Sequence, residues 1–178
     1  VGQRAINLTL KIFEKAINTI LKPSGIEDIQ GLYSHEARNY DFKHRLTTAY
    51  NDDALRKDIA REVKNILTKG HDTGSIRILD LACGTGLTIE TINNLLPKDL
   101  AGIELYGLDM TEKMIQAGQK RLGQKTEIKL EKGDATNFIG TKEGVSSGGF
   151  RKFNPSSFDC ITTAFGIGGI ENSVKCFE

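Results

Sequence analysis

Hydrophobic positions follow a helical period in the first part of the chain. Apolar residues recur every three or four positions over residues 4–21 and again over residues 51–70. This spacing predicts two amphipathic helices. The buried positions expected in the second helix are Leu55, Ile59, Val63 and Ile66. Residues 26–50 show no sustained period, so loops with short helical turns are expected there.

From residue 76 onward, short apolar runs alternate with helical segments. Strands are predicted at residues 77–82, 104–108, 127–130 and 158–163, and helices at 87–96, at 111–122 and from about Glu171. This alternation predicts an α/β fold, a doubly wound parallel sheet with helices on both faces. Residues 76–178 then form the core, and residues 1–75 a helical segment packed on it.

Two further regions depart from this simple alternation. Residues 138–157 are rich in glycine and serine, which predicts a flexible insertion, either a lid or a surface loop. The chain also ends soon after its fourth predicted strand. A βαβ unit takes roughly 30 residues, so a six- or seven-stranded sheet would need some 60 to 100 more. We therefore expect the C-terminal strands to be absent through truncation, with the loss of disordered parts or an edge completed by another molecule as alternatives.

Composition narrows the classes of partner. The net charge of +1 gives no electrostatic argument for binding nucleic acid or an anionic membrane. No apolar run is long enough for a membrane span. The three cysteines and three histidines lack the spacing of metal ligands or of a disulfide framework, so we expect no metal and a cytoplasmic location. A homodimer could form through the N-terminal helix or the exposed sheet edge.

The most specific chemistry lies at residues 78–86, where a buried strand carrying Asp80 opens into Gly84-Thr85-Gly86. Glycines in such a turn allow a ligand to approach the backbone closely. A dinucleotide-binding loop needs a third small residue three positions after its second glycine. Ile89 occupies that position. The loop therefore disfavours a nicotinamide oxidoreductase.

Residues 80–86, Asp-Leu-Ala-Cys-Gly-Thr-Gly, resemble motif I of the class I S-adenosylmethionine-dependent methyltransferases. Residues 106–110, 132–135 and 158–166 resemble the motifs of the next three strands, in the right order. The likeness is greatest to the C-methyltransferases of ubiquinone and menaquinone biosynthesis. Those enzymes usually continue the last motif with Arg-Asn, whereas this chain has Ile167 and glycines.

The resemblance implies a Rossmann-like methyltransferase fold and S-adenosylmethionine as the cofactor. It also implies methyl transfer to a small, apolar or aromatic acceptor, with C-methylation of a quinone precursor as one form. The implied cofactor-binding residues are Asp80, Ala82, Gly84, Thr85, Gly86, Asp109, Met110, Met114, Asp134, Ala135 and Ala164. No catalytic residue can be named. A macromolecular acceptor and a non-catalytic cofactor-binding module stay open as alternatives.

The three acids have distinct expected roles. Asp80 is placed to hold the cofactor's ammonium group or the loop. Backbone amides of the turn are expected to bind the carboxylate of the cofactor. Asp109 is expected to accept both ribose hydroxyls, the alternative being a helix cap. Asp134 is expected to accept the adenine amino group, with the amide of Ala135 donating to the ring. Met110 and Met114 are expected against the adenine face, and Ala164 beside the transferred methyl.

Overall fold

The computed structural model describes residues 51–70, 75–98, 102–123 and 127–166. Its elements in chain order are α1 (Asn51–Gly70), β1 (Ile76–Leu81), α2 (Leu87–Leu95), β2 (Ile103–Asp109), α3 (Glu112–Leu122), β3 (Ile128–Lys132), β4 (Gly144–Val145), β5 (Arg151–Lys152) and β6 (Cys160–Thr162). The ends of the predicted elements shift by one or two residues. The predicted N-terminal helix, the segment 26–50 and the helix near Glu171 lie outside the described residues.

Four strands form a parallel sheet in the order β3-β2-β1-β6. The chain moves outward from β1 through β2 to β3, and then returns to place β6 on the other side of β1. The strand order therefore reverses between β1 and β6. In open α/β sheets, ligands bind at the carboxyl ends of the strands beside such a reversal. The α/β parallel-sheet prediction is confirmed.

Alternation along the strands gives the sheet two buried faces. On one face, Ile76 and Ile78 of β1 pack with Leu105 and Leu130 and with apolar residues of all three helices. On the other face, Leu79 and Leu81 pack with residues of β2 and of the segment that follows β3. Both faces of β1 are covered, as a central parallel strand requires. None of the helices in the described ranges is long and apolar enough to cross a membrane.

The buried stripe of α1 differs from the predicted one. Leu55 and Ile66 are 44% and 57% exposed, whereas Asp52, Arg56, Ala60, Val63 and Leu67 are buried. Arg56 Nη1 lies 2.7 Å from Asp52 Oδ2, one helical turn away. The pair neutralises its own charge, which lets Asp52 and Arg56 lie in the buried stripe beside Ala60, Val63 and Leu67.

The predicted flexible insertion contains a β-hairpin. Strands β4 and β5 pair antiparallel, and Phe153 directly after β5 is completely buried. The Phe153 ring meets Tyr106 and Phe158 edge to face, with centroids 5.1 and 4.7 Å away. The segment is therefore a cover for the second face of the sheet rather than a loose loop. The glycines and serines of the segment hid this role in the sequence, because only a few apolar residues among them pack against the sheet.

Candidate functional site

Three carboxylates lie along the carboxyl edge of the sheet. Asp80 is the penultimate residue of β1, Asp109 ends β2, and Asp134 follows β3 by two residues. Their strands are neighbours in the parallel sheet, so the three side chains belong to one edge. Sequence reasoning chose all three, and the structure brings them to the same side of the molecule.

Asp80 is buried at the strand-order reversal. Its Oδ1 accepts a hydrogen bond of 2.8 Å from Thr162 Oγ1 on β6. Its Oδ2 is buried and has no hydrogen-bond partner among the described residues. Burial raises the pKa of this carboxyl to about 7, opposed by the Thr162 hydrogen bond and by the positive charge of Arg56. An acceptor oxygen left unpaired in a buried place is costly unless a ligand completes it.

The glycine turn between β1 and α2 is held by its own amides. Cys83 N donates to Leu108 O at 2.9 Å, and Gly86 N donates to Cys83 O at 2.9 Å. Gly84 N donates to Asp109 Oδ2 at 2.8 Å. These three amides are therefore engaged within the protein. Each of them already has an acceptor in the protein, and the expectation that turn amides receive a cofactor carboxylate stays a prediction.

Backbone geometry explains why glycine occurs in this turn. Gly84 and Gly86 have φ values of 56° and 80°, in the left-handed region that glycine adopts without cost. Ala82 also has a positive φ of 52°, which is strained for a residue with a Cβ. The tight turn brings Thr85 into the core, where its side chain is buried.

Asp109 connects two loops by hydrogen bonds to their backbone amides. Besides the bond to Gly84, its Oδ1 accepts from Thr111 N at 2.8 Å. Thr111 is the N-cap of α3, so Asp109 binds the amide of the capping residue rather than an amide inside the helix. The helix-cap role and the ribose contact both stay predictions. Burial raises the pKa of Asp109, while the two backbone hydrogen bonds act in the opposite direction. A carboxylate has about four acceptor directions, so these bonds leave acceptor capacity for a ligand.

Asp134 forms a local turn, and the neighbouring candidates differ in exposure. Asp134 Oδ1 accepts from the backbone N and the hydroxyl of Thr136, at 2.8 and 2.7 Å. Ala135 and Met114 are buried, whereas Met110 and Asp134 are half-buried. Met114 thus belongs to the protein interior. The adenine contacts expected of these four residues stay predictions.

The turn after β6 packs against the glycine turn. A Cβ added to Gly166 would lie only 2.4 Å from Ala82 Cβ, so the two backbones are in close contact. Phe165 has a positive φ of 63°, and its ring is 44% exposed. Ala164 is half-buried in the same turn. The predicted Ala82 and Ala164 therefore belong to segments that lie side by side at the strand-order reversal.

Two arginines near the turn were not anticipated from the sequence. Arg121 on α3 donates from Nη2 to Thr85 O at 2.9 Å and pairs with Glu90. Arg56 on α1 is buried and its guanidinium lies 5.4 Å from the centre of the Phe165 ring. The i,i+4 spacing of Asp52 and Arg56 was the available signal for the second, since it is typical of a paired helix position.

Two observations in the described ranges concern cysteine and metal chemistry. Burial raises the pKa of the Cys83 thiol well above its ordinary value, aided by the charges of Asp109 and Asp80. The protonated thiol is a poor nucleophile. No cluster of three or more metal-ligating side chains occurs among the residues that the structure describes.

The chain is similar to known methyltransferases in sequence. A family described as "Methyltransferase domain" matches residues 78–176, which is more than half of the chain. Demethylmenaquinone methyltransferase of Thermotoga maritima is 33% identical over 136 residues, covering 76% of this chain and 48% of that protein. The enzyme of the same name from Clavibacter sepedonicus is 24% identical over 139 residues. The chain spans about half the length of these curated relatives.

Two solved structures share the fold. The CurJ carbon methyltransferase superposes with a TM-score of 0.54 at 16% identity, over 68% of this chain and 30% of that one. The plantazolicin methyltransferase BpumL, in complex with a desmethyl analogue and SAH, superposes with a TM-score of 0.51 at 19% identity. The match covers 85% of this chain and 53% of that one. At such identities the likeness concerns the fold alone.

Proposed function

The chain belongs to the class I S-adenosylmethionine-dependent methyltransferases, and from this premise we propose that it binds S-adenosylmethionine and transfers its methyl group to a small, apolar or aromatic acceptor. C-methylation of a quinone precursor is the form we favour. The sequence match to demethylmenaquinone methyltransferases supports this acceptor class. The free cysteines Cys83 and Cys160 accord with a cytoplasmic setting.

The unpaired Oδ2 of buried Asp80 is the observation that carries the proposal. The bound cofactor would present an ammonium group, the kind of donor that this oxygen lacks. Asp109 and Asp134 offer further acceptors at the ends of the neighbouring strands, which suit ribose hydroxyls and an adenine amino group. The donor set of this edge therefore fits S-adenosylmethionine.

Methyl transfer requires little covalent chemistry from the protein itself. The cofactor supplies a methyl group already activated by a positive sulfur. The residues around Ala82, Ala164 and Phe165 would then exclude water and hold the acceptor in line. A carbon acceptor also needs a base or a hydrogen-bond partner to raise its nucleophilicity. We assign no side chain of the described ranges to that role.

A methyl-transfer assay tests the proposal. The chain would be incubated with S-adenosylmethionine labelled in the methyl group and with a reduced naphthoquinone, a phenol, bulk RNA and a protein mixture in separate reactions. We expect label in the naphthoquinone or phenol. Label found only in RNA or protein would mean that the acceptor is a macromolecule and not a small molecule. Cofactor binding without transfer to any acceptor would favour a non-catalytic binding module.

A further inference from the structure

Phe165 presents an aromatic ring at the surface of the molecule. Among the large apolar side chains that are exposed in the described ranges, it is the aromatic one, at 44%. Phe138 and Phe153 are buried, and Phe150 and Phe158 are half-buried. Exposure alone decides little, because single apolar residues are common on protein surfaces. The backbone, the support and the position of this ring point further.

The backbone holds the ring in a conformation that phenylalanine rarely adopts. Phe165 has a φ of 63°, in the left-handed region where a Cβ crowds the following carbonyl oxygen. Among the described residues other than glycine, only Ala82, Ser156 and Phe165 have a positive φ. Ala82 and Phe165 belong to the two turns that meet at the strand-order reversal. Glycine would fit the place of Phe165 without strain, so the ring itself accounts for a phenylalanine there.

A fixed cation supports the ring. The Arg56 guanidinium lies 5.4 Å from the centre of the Phe165 ring, within the range of a cation–π contact. Arg56 is buried, and its Nη1 lies 2.7 Å from Asp52 Oδ2, which holds the guanidinium in place. A cation on a ring draws the π electrons toward itself, so a second ring that is rich in electrons stacks favourably on it. The ring is therefore a rigid platform for an aromatic ligand.

The turn that carries Phe165 borders the expected place of methyl transfer. Its next residue, Gly166, is in close contact with Ala82 of the glycine turn. Thr162, three residues before Phe165, pairs in register with Asp80 and donates to it. Ligands of open α/β sheets bind at the carboxyl ends of the strands beside such a reversal. The exposed ring therefore belongs to the edge at which a ligand of this fold would lie.

We propose that Phe165 is a specificity-determining residue, which selects a planar aromatic acceptor by stacking on it. This inference rests on the proposed function and narrows its acceptor class to aromatic compounds. A saturated acceptor of the same size has no π face to offer the ring. A hydroxylated aromatic ring is rich in electrons, which suits a platform polarised by a guanidinium. Stacking also fixes the plane of the acceptor relative to the methyl group.

Two probes that differ in aromaticity test the assignment by calorimetry. The compound 2-naphthol and its saturated counterpart decahydro-2-naphthol share the hydroxyl group and the carbon skeleton, and only the first has a π face. Each would be titrated into the chain saturated with S-adenosylhomocysteine. The measured quantity is the ratio of the affinity for 2-naphthol to that for decahydro-2-naphthol. Comparing this ratio between variants cancels the general difference in hydrophobicity between the two probes.

Variants at one position separate stacking from simple packing. Phe165→Leu keeps an apolar side chain without a π face, so the ratio should fall by about 2- to 12-fold. Phe165→Gly removes the ring and also the backbone strain, and the same fall is expected. Phe165→Tyr keeps the ring and should preserve the ratio. Ile161→Ala is the matched control, because Ile161 is 50% exposed on β6 in the same segment, and its ratio should stay unchanged.

The results distinguish the inference from the proposed function beneath it. A lower ratio in Phe165→Leu and Phe165→Gly, with the ratio kept in Phe165→Tyr, supports the inference. Equal losses for both probes would make Phe165 an ordinary wall of the site and overturn it. An unchanged ratio would also overturn it, as would a wild-type chain that binds S-adenosylhomocysteine but not 2-naphthol. A wild-type chain that does not bind S-adenosylhomocysteine would instead overturn the proposed function.

Discussion

At the scale of single residues, the charge state of Asp80 links the site to the stability of the fold. Its pKa of about 7 lies well above the value near 3.9 expected in an unfolded chain. Between those two values the folded protein holds a proton that the unfolded chain releases. The contribution of Asp80 to stability therefore falls as the pH rises through this window, and it is constant above about pH 7.

Asp80→Asn is expected to remove this pH dependence. The amide oxygen can still accept from Thr162, while the cost of a buried charge at high pH disappears. Without ligand, the variant should be more stable than wild type by a few kcal/mol at pH 8, and the advantage should shrink toward pH 4. Urea unfolding of both proteins at the two pH values measures this. A stability difference independent of pH would contradict the assignment.

Asp109→Ala tests the second acid. The change removes the acceptor for the amides of Gly84 and Thr111 together with the expected ribose contacts. We expect at least a tenfold loss of affinity for S-adenosylhomocysteine and also for methylthioadenosine, since both carry the ribose. Calorimetry at fixed pH measures both. Unchanged affinity for methylthioadenosine would exclude the ribose role.

These acids could be located from the sequence because each lies at the end of a recognisable strand or just after it. Their partners could not be located, since the Gly84 amide and the Thr162 hydroxyl come from other segments. Arg56 was missed for a different reason. An apolar period was read along α1, whereas a self-neutralising ion pair occupies part of the buried stripe.

At the scale of elements, close packing of α3 on the glycine turn depends on Gly118. An added Cβ would lie 2.5 Å from the Thr85 carbonyl oxygen and 2.5 Å from Leu130 Cδ1. Backbone cannot yield as a flexible side chain can, so the clash should outweigh the gain of about 1 kcal/mol in helix propensity. We expect Gly118→Ala to destabilise the fold by about 1–3 kcal/mol in urea unfolding.

Gly148→Ala is the control for that variant. A Cβ there would meet Phe150 at 3.6 Å, an ordinary contact. A change within about 0.5 kcal/mol is expected for such a surface position. Equal losses of stability in Gly118→Ala and Gly148→Ala would mean that α3 does not pack closely against the glycine turn.

The hairpin is the element that sequence reasoning described least well. Phe153 is completely buried against Tyr106 and Phe158, and Arg77 and Arg151 both reach Glu143 beside these rings. We expect Phe153→Ala to cost about 3–5 kcal/mol. Val145→Ala in β4, at a position that is 64% exposed, should cost little. If Phe153→Ala were as mild as Val145→Ala in urea unfolding, the hairpin would not be part of the core.

At the scale of the whole molecule, the strand order places the three acids and the turns of Gly84 and Phe165 at one edge. Buried apolar runs predicted the parallel strands, because a strand covered on both faces must be apolar throughout. The return of the chain to β1 could not be derived from periodicity, because periodicity does not show which strands are neighbours. The same topology assembles Asp80, Thr162 and the turn of Phe165 from positions about 80 residues apart.

The central claim is that this edge binds S-adenosylmethionine, and calorimetric titration of the wild-type chain with S-adenosylhomocysteine, with NAD as the competing ligand, tests it most directly. We predict saturable binding of S-adenosylhomocysteine with one site per chain and no binding of NAD, since Ile89 fills the place where a dinucleotide loop needs a small residue. Binding of NAD without binding of S-adenosylhomocysteine would contradict the account.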